Sequence, residues 1–375
     1  MSSPRAESDW AFPFQRPLLP PPQAWVERLA PAYARHWFSN HGELALELEQ
    51  RLGARAGRGT VLAANGTAAI TAALLVLARR RGVVVLPSFT FAATLGAVLQ
   101  AGLVPRLADV DAARWELGAA QVEAAAGGEP IAAVLAVRPF GLCRDHAELQ
   151  AWCAQRGVPL LFDSAAALGG HLADGRAAGV EGDAETFSLH ATKVFAVGEG
   201  GAIACAAEHH AALRRAMNFG LEAGELLGDG FNGKVSEFTA AVGLAQHDAF
   251  DAQLAVRRAA AARYADFVAA EAPEWTPPLD PGDPPWQGYP LLAPDAPDAP
   301  ALLREAAARG VQLRRYYRPA LHTAPAAARH AATPLPVSAD LAERMVCLPM
   351  YSDLHAPEHG ALLDRLRDAL RAARR

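Results

Sequence analysis

The chain has 375 residues, 51% of them hydrophobic and 20% charged, which is long enough for one large domain with a smaller companion and too apolar for a wholly disordered protein. A net charge of -5 with no block of like charges leaves no electrostatic footprint for nucleic acid or an anionic membrane. The most apolar run, residues 68–78, is too short to cross a bilayer, and the opening MSSPRAESDWAFPFQ lacks the apolar core of a secretory signal. The expected location is therefore the cytoplasm. Cys143, Cys153, Cys205 and Cys347 lie far apart, with no C-x-x-C spacing or Cys/His pairing. They read as ordinary thiols, so neither a metal site nor a disulfide framework is expected.

Residues 1–40, with RPLLPPP and HWFSNHGE, read as a Pro-rich arm carrying one helix. From there to residue 250, short apolar β-branched runs alternate with longer amphipathic or Ala/Leu-rich stretches, the pattern of strands joined by crossover helices. Strands are expected at residues 61–64, 82–86, 104–108, 131–137, 159–162, 186–189 and 201–206. Several are apolar on both faces, as strands of a covered parallel sheet are. The fold class is α/β, with a large domain over residues 41–250. An Arg/Ala-rich helix over residues 254–270 then leads into TPPLDPGDPPWQGYP, where the composition shifts. Residues 251–375 are expected to form a smaller domain with helices over residues 299–309 and 357–374. No internal repeat is present.

In open α/β sheets ligands collect at the carboxyl ends of strands, and three places there carry polar residues. Asn65, Gly66 and Thr67 stand between the strand VLAA and the helix-forming AAITAALLVLARR. Their N–H groups and hydroxyl at a helix N-terminus suit a phosphate, or serve only to start the helix. Asp163 ends the apolar VPLLFD, where a poorly solvated carboxylate needs a cationic or hydrogen-bonding partner. A protonated pyridine nitrogen is one such partner, and capping the next helix is the other reading. Lys193 lies in FSLHATKVFAVGEGGAIA among apolar and small residues. A lysine so placed has a depressed pKa and forms Schiff bases with aldehydes, although alone it also reads as a snorkelling surface residue. The G-x-G-x-x-G match from Gly228 to Gly233 follows a polar, helix-like stretch and lies late in the sheet region. That context argues against a dinucleotide loop.

Taken in this order, the segments RPLLPP, WFSNHG, NGTAAITAAL, LPSFTFAATLGAVLQAGLVPRLADVD, FGLCRDH, FDSAA, GDAETFSLHATKVFAVGEGGAI, GFNGKVSEFTAAVGLAQ, RRYYRPALH and VCLPMYSDL resemble the DegT/StrS family of sugar aminotransferases. These are pyridoxal phosphate (PLP) enzymes of the aspartate aminotransferase superfamily. The resemblance implies fold type I: a mostly parallel seven-stranded sheet sandwiched by helices, with a smaller C-terminal α+β domain. It implies that Lys193 carries the cofactor as a Schiff base and later moves the proton. Asp163 would keep the pyridine nitrogen protonated, Gly66, Thr67 and Ser188 would hold the phosphate, and Phe91 would stack on the ring. Asn232 would reach the phosphate of a neighbouring subunit, implying a homodimer with shared active sites. The reaction implied takes an amino group from a small-molecule donor, by resemblance glutamate, through the pyridoxamine phosphate form to a keto group of a dTDP- or UDP-linked deoxyhexose in aminosugar biosynthesis.

Arg314, Arg315, Tyr317 and His322 in RRYYRPALH match a segment near the acceptor site in relatives, and also read as a surface turn. Glu199 in GEGG either touches substrate or caps a turn. One departure is clear: Ala166 stands where many members carry a Gln or His that hydrogen-bonds the cofactor's phenolic oxygen, and Leu168 where His or Phe is frequent. The expected effect is a retuned cofactor rather than lost catalysis. A transaminase acting on a keto-cyclitol or other non-nucleotide ketone, and a catalytically silent PLP-binding homologue, are the rival readings. Deoxygenating relatives replace the Schiff-base lysine with His, and Lys193 is present.

Overall fold

A computed structural model describes residues 10–79 and 81–374. The start of the expected N-terminal arm (residues 1–9), Arg80 and Arg375 lie outside the described residues. After two short 3-10 turns come α1 (Ala30–Arg35) and α2 (Glu43–Ala56), and then β1 (Thr60–Ala63), α3 (Gly66–Leu77), β2 (Val83–Pro87), α4 (Ala92–Gln100), β3 (Val104–Ala108), α5 (Ala119–Ala126), β4 (Ile131–Val137), α6 (Ala147–Arg156), β5 (Leu160–Asp163), β6 (Ala184–Ser188) and β7 (Gly201–Cys205). These seven strands form one sheet in the order β1-β7-β6-β5-β4-β2-β3. Only β7 runs against its neighbours, pairing antiparallel with both β1 and β6, while β2, β3, β4, β5 and β6 are paired in parallel.

Alternate residues of each strand enter different cores, because successive side chains of a strand point to opposite faces. Val84 and Leu86 pack with the buried side of α3 and α4, whereas Val83 and Val85 pack with Val122 and Leu149 from α5 and α6. Both faces are thus covered by helices, and the seven expected strands are all present within two residues. The largest offset is at β6, which begins at Ala184 rather than Thr186. Glu185 disguises it: the charge is fully buried in the strand, where Arg138 Nε lies 3.1 Å from its carboxylate.

After β7 the chain forms α7 (His210–Met217) and a two-residue hairpin, β8 (Leu221–Glu222) and β9 (Glu225–Leu226), before α8 (Glu237–Glu271). The helix expected over residues 254–270 is the second half of α8. Ser236 caps α8 by accepting from Thr239 N. The polar Gln246 and Gln253, which interrupt its apolar pattern, are buried and bonded to each other at 2.7 Å. Beyond α8 come β10 (Tyr289–Leu292), α9 (Asp298–Ala308), α10 (Pro336–Arg344), β11 (Met345–Leu348) and α11 (Ala356–Ala373). β10 and β11 pair antiparallel. Tyr264 and Phe267 of α8, Leu302 of α9, Val346 and Leu348 of β11 and Leu366 of α11 share one apolar cluster, which Phe12 of the N-terminal arm joins. The arm is tied there by Phe12 N to Gly310 O and by Arg16, which bonds Asp353 and Glu358.

Among the described residues no helix is long and apolar enough to cross a membrane, and no group of three or more His, Cys, Asp or Glu could hold a metal ion. The four cysteines are buried and free.

Candidate active site

Because β1, β5 and β6 run in the same direction, Asn65, Asp163 and Ser188 come to one edge of the sheet. The Asn65 side chain accepts from Ala68 N at 2.8 Å and caps α3. The first N–H groups of the helix, on Gly66 and Thr67, have no acceptor within it. A methyl group on Gly66 would lie 2.9 Å from Ser188 Cβ, so the end of β6 rests directly on the start of α3, and only glycine permits that approach. Gly66, Thr67 and Ser188 together border a cavity of about 900 Å³.

Asp163, the last residue of β5, is buried in the wall of the same cavity. It caps no helix. Its carboxylate accepts from Thr94 Oγ1 at 2.7 Å and from Ala165 N at 3.2 Å, and Thr94 in turn meets Thr90 Oγ1 at 2.8 Å. Burial pushes the carboxyl pKa up, while the Thr94 bond and the charge of Lys193 act against that shift.

Lys193 sits in the β6–β7 loop with its amine in the cavity, not on the surface. The loop is held by Lys193 N to His190 O, Ala191 N to Gly198 O and Val197 N to Leu189 O, and it is anchored by Val194, Phe195 and Val197 in the core. Nζ donates to Gln287 Oε1 at 3.2 Å. Burial lowers the pKa of this amine, opposed by the nearby charge of Asp163. A lowered amine pKa raises the fraction that is unprotonated and nucleophilic.

The other expected residues divide. Phe91, Glu199, Asn232, Arg314 and Tyr317 border the cavity. Tyr317 stacks on Phe140 with ring centroids 5.3 Å apart, Arg314 lies over the Phe14 ring, and Glu199 is 3.6 Å from the His190 ring. Asn232 borders the cavity of its own chain. His322 is not on the cavity wall: its Nδ1 is 2.7 Å from Ser88 Oγ. Ala166 lines the cavity and offers no side-chain polar atom there. Sequence reasoning passed over Thr94, Gln287 and Arg138. Thr94 stands in the SFTFAAT motif, within the first turn of α4, which was its available signal. Arg138 borders the cavity yet is fully engaged by Glu181, Glu185 and Arg144 O.

The set fits a phosphorylated aromatic aldehyde: a lysine with a lowered pKa, a buried carboxylate with room to meet a ring nitrogen, and a helix N-terminus with a serine for the phosphate. Fold and site define a PLP-dependent aminotransferase of fold type I. Residues 23–367 match the DegT/DnrJ/EryC1/StrS aminotransferase family, and the chain belongs to that family. It is 32% identical over 368 residues to Protein Rv3402c of Mycobacterium tuberculosis, covering 92% of this chain and 87% of the relative. It is 26% identical over 366 residues to the dTDP-4-amino-4,6-dideoxy-D-glucose transaminase of Escherichia coli, covering 93% and 96%. The crystal structure of DesI in the presence of its TDP-sugar product superposes with a TM-score of 0.87 at 33% identity, covering 99% of this chain and 96% of that one.

Proposed function

We propose that this enzyme moves an amino group from glutamate to the ketone of a dTDP- or UDP-linked deoxyhexose. The observation that carries the reading is the convergence of Lys193, Asp163 and the Gly66–Ser188 contact on one cavity. Pyridoxal phosphate, when bound, supplies an aldehyde that takes up an amine and a ring that accepts electrons from the carbon losing its proton. With the cofactor bound, Lys193 would hold its aldehyde and, when free, would take the proton from the substrate carbon on Nζ and return it. Asp163, kept oriented by Thr94, would hold the ring nitrogen and keep it protonated. Gly66, Thr67 and Ser188 would hold the phosphate, and Phe91 would cover the ring.

Arg314 and Tyr317, with Glu199 across the cavity, are our candidates for the sugar nucleotide. Arg314 borders the cavity, lies over the Phe14 ring and is hydrogen-bonded with Tyr316, and its remaining guanidinium donors suit a diphosphate. His322 acts there only through the turn that Ser88 fixes. The nucleotide sugar is favoured by the names of the relatives, a dTDP-aminosugar transaminase and a protein solved with a TDP-sugar product. A homodimer is proposed with it: Phe219, Leu226 and Leu227, on and beside the β8–β9 hairpin that precedes Asn232, are exposed in the single chain and suit a protein interface. The deciding experiment presents glutamate with dTDP- and UDP-linked keto-hexoses in turn and reads the products by mass. An amino sugar from any one supports the reading; amination of a free keto-cyclitol alone, or of nothing, overturns it.

A further inference from the structure

We infer that Gln287 is a positioning residue that receives the Lys193 amine whenever that amine is not bonded to the cofactor, holding it ready for proton transfer. The inference rests on the reading of Lys193 as the cofactor-bonding lysine. Gln287 comes from the segment just before β10, 94 residues away from Lys193 in the chain, and both border the cavity.

Two contacts fix the orientation of the Gln287 amide. Its Nε2 faces Thr192 O at 3.4 Å and its Oε1 faces Lys193 Nζ at 3.2 Å. A carbonyl oxygen only accepts and an ammonium only donates, so the reversed amide would oppose oxygen to oxygen and nitrogen to nitrogen. The backbone beneath is also held. Trp286 O accepts from Arg257 Nη1 at 2.8 Å, and Arg257 Nε donates to Ser352 Oγ at 2.9 Å. The Trp286 ring stacks on Tyr289 at 5.4 Å. The amide is therefore delivered from a fixed strut to the lysine.

The choice of a neutral acceptor matters. Charged groups bordering the cavity around Lys193 are Asp163 at the end of β5, Arg138 after β4, His190 and Glu199 on its own loop, and Arg314 from the segment before β11. Tyr316, Tyr317 and the Cys347 thiol are the remaining titratable groups on that wall. Asp163 already favours the ammonium form. A second carboxylate in hydrogen-bond contact would hold the amine protonated and useless as a base, whereas an amide oxygen accepts from either form and fixes where Nζ points. Aligning the amine in this way keeps its lone pair directed at a carbon rather than leaving it to rotate.

The test uses the full-length protein loaded with pyridoxamine phosphate, in which Lys193 is free, and measures carbamylation of Lys193 by cyanate against pH, read by mass. Protection of Lys193 in the pyridoxal phosphate form first checks the underlying role; equal labelling in both forms would overturn that role and this inference with it. With protection observed, Gln287→Glu is expected to raise the Lys193 midpoint by about one pH unit or more, and an unchanged midpoint overturns the inference alone. Gln287→Met, which keeps the bulk and removes the acceptor, covers the case in which the Glu variant does not fold. It is expected to lower kcat about tenfold at unchanged KM and unchanged cofactor content. Unchanged kcat, or a loss that follows cofactor content, overturns the positioning role.

Discussion

The Thr94 hydroxyl donates to Asp163 at 2.7 Å across 69 residues of sequence, and it is the only side-chain hydrogen bond that the carboxylate receives among the described residues. Removing it without changing shape leaves a buried charge short of a donor. Thr94→Val should therefore lower the unfolding free energy of the cofactor-free protein by about 1–3 kcal/mol, while Thr94→Ser should retain most of it. Urea denaturation of the two variants side by side distinguishes loss of the bond from loss of the methyl group.

Asp163 itself should trade stability for function. Its folded pKa is raised by burial, so its contribution to stability is fully present below the unfolded value and is lost as pH rises through the folded one. Above that folded value the ionised carboxylate is then a burden on the cofactor-free fold. Asp163→Asn keeps one acceptor oxygen for Ala165 N, turns the other position into a donor that the Thr94 hydroxyl accepts from, and carries no charge. It should melt higher than wild type at neutral pH, with the difference shrinking on acidification, and yet fail to retain the cofactor. A variant melting lower at neutral pH would show that the charge is compensated in a way these contacts do not provide.

Much of this was legible in the sequence, for local reasons. The strands could be placed because β-branched runs such as IAAVLAV are buried on both faces, and Asp163, Ser188 and Lys193 stand at or just past strand ends. What escaped is non-local. Thr94 and Gln287 gain their meaning from partners 69 and 94 residues away, and neither residue type is unusual where it occurs. Glu185 hid the start of β6 because a buried glutamate is tolerable only with partners such as Arg138, Ser164 and the N–H groups of Gly179 and Glu181, which no periodicity reveals. The length of α8 was concealed in the same way, since Gln246 and Gln253 look solvent-facing until the hydrogen bond between them is seen.

Lys193→Ala should remove transamination, because no other amine lies at the Asp163 side of the cavity among its lining residues. A positioned general base contributes roughly 10²–10⁴-fold, and the Schiff base is lost as well, so turnover with glutamate should fall by at least about 10³-fold. The phosphate site is untouched. Stopped-flow measurement of the half-reaction with glutamate reads this directly, and near-normal turnover would refute the role of Lys193.

Gly66→Ala tests the phosphate cradle separately. The added methyl group would sit 2.9 Å from Ser188 Cβ, a contact that neither strand nor helix relieves without moving apart. Affinity for pyridoxal phosphate should drop about tenfold or more, while affinity for pyridoxal, which lacks the phosphate, stays near wild type. Equal losses for both ligands would mean that the substitution damages the cavity as a whole.

The last prediction concerns the support beneath the cavity. Arg138 bonds Glu185 and Glu181 with all three side chains fully buried, and His146 Nδ1 lies 3.1 Å from the same Glu181 carboxylate. Burial alone would raise the Glu181 pKa, but the His146 hydrogen bond and the Arg138 charge hold it at about 2, below the ordinary 4.5. A depressed folded pKa contributes stability above the unfolded value and loses it as pH falls through the folded one. Acid should therefore weaken the fold progressively from 4.5 down toward about 2. Arg138→Met strands both carboxylates and should cost about 3–5 kcal/mol at neutral pH. With its cation gone, the Met variant should also regain part of that loss on acidification, because protonated carboxyls no longer need the partner. Urea titrations of both proteins across the acid range check the two opposite slopes, and parallel slopes would show that the ion pair does not set the acid response.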